Sequence, residues 1–175
     1  MAWNLLLAFI PLIISTCMQR YRIMFRRTLS WVTLSVVWLL FLPNAPYMLT
    51  DLYHLPEHND APLWFDLIML TSFVWNGLIW AYRSMRQMEG VWTERFPHYP
   101  RVYFTNAIIF LCGIGVFVGR YWRWNSWYVV TEPLMVWKGM TSLVFHPFEF
   151  REAWAFSICL AGLLWVMYPF MKRVA

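Results

Sequence analysis

Charge is scarce in this chain. Asp, Glu, Lys and Arg make up 13% of its 175 residues, against roughly 25% in an ordinary soluble domain. A soluble globular fold is therefore a poor fit. Cysteine is sparse too: Cys17, Cys112 and Cys159 stand far apart in apolar runs, with no Cys-x-x-Cys unit for redox or zinc chemistry. None of the histidines falls in the middle of a long apolar run, so a membrane haem on paired axial histidines finds no ligands. "GIGVFVG" at 113–119 has the wrong spacing for a dinucleotide fingerprint and no strand before it. The net charge of +5 describes no nucleic-acid surface, because the basic residues sit between apolar runs and form no patch interleaved with aromatics. Repeats and low-complexity linkers are absent, leaving a single membrane domain over residues 1–175. No cofactor can be assigned.

What the chain does have is apolar length. Apolar residues reach 61% and the mean hydropathy is +0.48. The 13 Trp and 9 Tyr are the residue types that gather at bilayer interfaces. Uncharged runs at 1–19, 28–50, 67–82, 102–119 and 153–171 compare with the 17 to 25 residues, roughly, that a spanning helix needs. The expected fold is an all-α integral membrane protein. It is a bundle of five transmembrane helices, about 2–19, 28–46, 64–82, 102–119 and 153–171, plus short interfacial helices on the outer side. The interfacial segments are expected at about 47–60 and 124–150, the second broken by Glu132, Pro133 and Lys138. Ten Lys and Arg fall on one side of these spans and four on the other, by count along the sequence. The positive-inside rule then sets the N-terminus outside and the C-terminus in the cytoplasm of a plasma membrane. The first run has no basic residue before it and no small-x-small site after it, and reads as an anchor that stays in the membrane.

Polar residues collect at the expected outer face. In "LPNAPYMLTDLYHL" (42–55), Pro43 and Pro46 each lack a backbone donor and disfavour helix in the residue before them. Span two should break there, with Pro46 in the first turn of a short helix carrying Tyr47, Asp51 and His54 along one face. Asn44 is placed to cap that helix or to bond the carbonyls freed by the break. The third run covers only about 24 Å at 1.5 Å per residue, so it should draw Asp66 towards the bilayer. A carboxylate there needs a partner, and Arg120 or Arg123, emerging from span four at the same height, would supply one. Trp124 and Asn125 follow directly. The same residues also have plain structural uses, as helix anchors, an aromatic belt and solvated loop groups. "HLPEHND" (54–60) could hold a metal, but Pro56 breaks the helical His-x3-His face, and no metal site is assigned. Gly115 and Gly119 have the spacing of a close helix approach, and Asn76 and Asn106 that of interhelical bonding.

"WNLLLAFIPLIIS", "LPNAPYMLTDLYHL", "WFDLIMLTSFVWNGL" and "GRYWRWNSW" together resemble the hallmark segments of domain of unknown function 1361. That is a family of small bacterial multi-pass membrane proteins without an assigned activity. The resemblance runs from about Trp3 to Trp127 and fades in the last third. It implies residence in a bacterial inner membrane and supplies no reaction or catalytic residue.

The residues favour a polar site in the outer leaflet that binds an anionic lipid or small anion through Asn44, Tyr47, Asp66, Arg120, Arg123, Trp124 and Asn125. Arginine forks match phosphate oxygens bidentately, and Asp51 and His54 are the candidates for proton transfer. No nucleophile with a paired base can be named. Two other readings stay open. One is a non-catalytic subunit or scaffold, with a membrane protein partner or a second copy packed on the Gly115/Gly119 face. The other is a small transporter, for which five spans offer little room.

Overall fold

The computed structural model describes residues 2–21, 27–52 and 62–174. Among them the chain forms helices α1 (Ala2–Arg20), α2 (Thr28–Phe41), α3 (Asn44–Asp51), α4 (Leu63–Arg95), α5 (Arg101–Tyr121), α6 (Tyr128–Thr131), α7 (Pro133–Phe145) and α8 (Arg151–Val174), and no strand. Five segments are long and apolar enough to cross a bilayer: α1, α2 continued by α3, α4, α5 and α8. Many large apolar side chains point outward, among them Leu29, Trp64, Val130, Trp165 and Phe170. Water would not tolerate so much exposed apolar surface. The chain is consistent with a multi-pass membrane protein.

Contacts between helix ends fix the directions. Asn4 at the start of α1 reaches Asp51 at the end of α3, which meets Arg120 at the end of α5. At the opposite end Arg95 of α4 bonds Thr28 of α2, and Arg86 bonds the Lys172 carbonyl of α8. The long helices therefore alternate in direction. We call the first group the N-terminal end of the bundle and the second the C-terminal end. α1 lies along α4 and α5 along α8, with α3 wedged against α1, α4 and α5. Trp38, Leu42, Met48, Leu78 and Val116 form the centre of the core.

The break between α2 and α3 falls where the prolines predict. Phe41 would normally receive the Ala45 N–H, but that donor goes to Leu42 O at 3.3 Å, because Pro46 has no N–H to offer. The Asn44 side chain replaces it, donating to Phe41 O at 2.8 Å. One residue further back, Leu40 O accepts from Ser126 Oγ at 2.9 Å. The loop after α5 thus patches the kink. Gly115 is required here, since an added Cβ would come within 2.6 Å of Pro43 Cγ. The close approach expected at Gly115 is real, but its partner is this chain's own α2–α3 junction, and Gly119 faces Tyr47 of α3.

Two expectations need correction. The helix that carries the third span does not stop near Tyr82: α4 continues to Arg95, with a buried stripe at Leu70, Val74, Leu78, Ala81, Met85 and Met88 and on to Glu89. At 33 residues it is about 50 Å long, longer than a hydrocarbon core of roughly 30 Å. Shortness therefore does not pull Asp66 inward. Asn76, expected to bond between helices, donates instead to Ser72 O of its own helix at 2.8 Å.

α7 has 13 residues, about 20 Å, too short to cross. It packs through Leu143 on a second apolar cluster with Phe117, Val118 and Ala153. Trp154 Nε1 seals that contact by donating to Leu143 O at 3.1 Å. A Cβ on Gly139 would overlap the Trp124 ring, so the edge of the indole abuts this part of α7.

Candidate functional site

The polar site at the N-terminal end is built around Arg120, in the last turn of α5. Its Nη1 lies 2.9 Å from Asp51 Oδ1 and donates more weakly to Tyr47 OH at 3.4 Å. Nη2 reaches the Thr50 carbonyl at 3.4 Å. The guanidinium carbon stands 5.7 Å from the centre of the Tyr47 ring, within cation–π range. Tyr47 and Asp51 are four apart on α3, so one helical face presents both to the same cation. Asn4 of α1 donates to Asp51 Oδ2 at 3.5 Å. The pair is mostly shielded, with side-chain exposures of 20% for Arg120 and 13% for Asp51.

The partner of Arg120 is thus Asp51 and not Asp66. Asp66 lies half-buried in the first turn of α4 and makes no ion pair among the described residues. Arg123 is exposed, adopts a left-handed backbone with φ 56°, and likewise has no ion-pair partner among the described residues. Its unusual conformation turns the chain so that the Trp124 N–H returns to Val118 O at 3.3 Å, closing α5. His54 and the "HLPEHND" segment lie outside the described residues. Among those described, no group of three or more His, Cys, Asp or Glu could hold a metal.

Beside the ion pair opens a cavity of about 400 Å³. Its walls are mainly apolar, from Leu7 of α1, Leu39 and Leu40 of α2, Ile114 and Val118 of α5, and Met140 of α7. Its polar lining comes from Asn4, Asn44, Tyr47, Asn125 and Ser126. Trp124 lines it as well, tilted at 53° against Trp122 with ring centres 4.8 Å apart. Of the expected site residues, Asn44, Tyr47, Trp124 and Asn125 meet in this one cavity. Arg120 adjoins it through Tyr47, while Asp66 is not part of its wall.

The sequence model of one protein family matches residues 3–167. The chain belongs to that family, described as Protein of unknown function (DUF1361). The match extends well past Trp127, so the residues of α7 and most of α8 lie inside the matched region. No curated protein and no solved structure matches the chain. In this family member the kink residues, the Arg120 pair and the cavity all lie inside the matched region.

Sequence reasoning missed Asn4 and Ser126, each of which joins a kink or carboxylate far away in the chain. It also missed a second polar cluster at the C-terminal end. There Glu89, only 5% exposed, accepts from Thr105 of α5 and from the Tyr168 hydroxyl of α8. Lys172 Nζ stands 3.9 Å from its other carboxylate oxygen. The available signal was the apolar stripe of α4, whose helical period carries through Ser84 and Met88 to Glu89.

Proposed function

We propose that this multi-pass protein binds an amphiphile with an anionic head, such as a phospholipid, at the N-terminal end of the bundle. On this reading that end faces the outer leaflet of a bacterial inner membrane, with the C-terminus in the cytoplasm. The observation that carries the proposal is the cavity of about 400 Å³, lined mainly by apolar side chains and polar at Asn44, Tyr47 and Asn125. An acyl chain suits the apolar walls and a headgroup suits the amides. Arg120 is already neutralised by Asp51, so it positions Tyr47 and the α3 turn. The exposed Arg123 supplies the cation for the headgroup.

The test is reconstitution in nanodiscs containing brominated phosphatidylglycerol or phosphatidylcholine, read by quenching of tryptophan fluorescence and by native mass spectrometry. Wild type should retain the anionic lipid preferentially. Ile114→Trp should fill the cavity and lose both lipids, while Arg123→Gln should lose the preference but keep the lipid. Competition by inorganic phosphate alone would point to a small anion. Unchanged retention and preference in both folded variants would refute the proposal.

The self-contained Arg120–Asp51 pair favours a second reading, a non-catalytic membrane subunit in which the pair only stabilises the fold. Variants of either residue would then lose stability without any change in lipid retention.

A further inference from the structure

A different cavity, of about 200 Å³, lies between α2, α4 and α5 near the C-terminal end. It is walled by Trp31, Ser35 and Trp38 of α2, Met88 and Trp92 of α4, and Phe104 of α5. Among the described residues, just three buried side-chain polar atoms lack a hydrogen-bond partner: Trp31 Nε1, Ser35 Oγ and Trp92 Nε1. All three belong to residues lining this cavity. Buried donors are paired almost everywhere in folded proteins, so three orphans around one space are a specific feature. By contrast Trp38, on the same wall, is satisfied, donating from Nε1 to Ser84 Oγ at 2.7 Å.

The two orphan indoles cannot readily turn to find partners. Trp92 is stacked on Phe104, with centroids 4.9 Å apart, and packs on Phe96 at 4.5 Å. Trp31 meets the Phe96 ring edge-on at 5.7 Å. What would complete the site is an acceptor with no proton to place, on an apolar body. Val32 and Val36 of the same wall are exposed, so the cavity opens sideways to the surroundings of the bundle. Trp31 lies three residues from the start of α2 and Trp92 three from the end of α4. Tryptophan is a residue type that gathers at the bilayer interface, at the level of the lipid headgroups.

We propose that this cavity holds a bilayer lipid, whose acyl ester carbonyl oxygen accepts from the Trp31 and Trp92 indole N–H groups, one for each lone pair, with the Ser35 hydroxyl facing the remaining ester oxygen. The site is independent of the cavity beside Arg120 and stands whether or not that one binds lipid. Full-length protein with ¹⁵N-labelled tryptophan is placed in nanodiscs of diester phosphatidylcholine or of the matched diether lipid, which has no carbonyl. Trp31→Phe, Trp92→Phe and Trp38→Phe assign the three indole signals. On changing from diester to diether, the Trp31 and Trp92 N–H signals should move upfield, as lost hydrogen bonding requires, while Trp38 stays in place. Val36→Phe, which narrows the opening, should abolish that difference. Identical signals in both lipids would overturn the proposal, pointing to water or an empty cavity. So would restoration of the diester signals in diether discs by an added isoprenoid quinone, which would assign the donors to a quinone carbonyl.

Discussion

Removing the Asp51 carboxylate should expose how much the N-terminal end depends on a single ion pair. A fully exposed pair contributes about 0–1 kcal/mol, and breaking a fully buried one costs about 3–5 kcal/mol. Here the side chains are 20% and 13% exposed and the contact is 2.9 Å, so Asp51→Ala should destabilise the fold by about 2 kcal/mol. Tyr47 OH and Thr50 O, both at 3.4 Å, are too long to rescue the guanidinium. Asn4, at 3.5 Å from the other carboxylate oxygen, adds little, and Asn4→Ala should cost less than about 0.5 kcal/mol. The coupling is best measured by a double-mutant cycle of Asp51→Ala and Arg120→Ala, using reversible unfolding in mixed micelles. A coupling of about 1–2 kcal/mol is expected, well above the few tenths at which independent sites add. Asp66→Ala combined with Arg120→Ala should show no coupling. The reasoning collapses if Asp66 proves more strongly coupled to Arg120 than Asp51 is, or if Asp51 and Arg120 prove additive.

Gly113→Ala should lower thermal stability in detergent by about 1–3 kcal/mol, because its Cβ would come within 2.5 Å of the Ser157 carbonyl oxygen of α8. Gly162→Ala, which meets nothing within 4 Å, is the matched control and should be neutral or slightly stabilising. Glu89→Ala should be worse than Glu89→Gln by about 1–3 kcal/mol in the same assay, since the amide oxygen still accepts from Thr105 and Tyr168. Fusing a reporter active on one side only to each terminus should place the two ends on opposite faces, as five spans demand; signals from the same face would remove one crossing.

The kink was legible in the sequence because it follows from what proline lacks. Pro43 and Pro46 remove two N–H groups in a known place, and Asn44 is the nearest side chain able to replace one. The short helix with Tyr47 and Asp51 on one face needed only local spacing. Which carboxylate Arg120 meets was not legible in the same way. Asp51 and Asp66 both belong at the same end, and only the packing of α3 against α5 brings Asp51 to the cation. The Asp66 pairing was inferred from a charge-bounded run, which ends at Arg83 although the helix does not.

That boundary also hid Glu89. Arg83 and Arg86 are exposed, and long basic side chains can leave an apolar environment while their helix continues within it. Charge in the sequence therefore marks where a side chain reaches water, not where the helix stops. The buried stripe of α4 passes between these arginines, with Ser84, Met85, Met88 and Glu89 facing inward. Glu89 can remain there because Thr105 and Tyr168 donate to it and Lys172 lies near its second oxygen. A buried carboxylate without such partners would be expensive. Period along the helix was thus the better guide than charge-free length, and it ties the ends of α4, α5 and α8 to one acid.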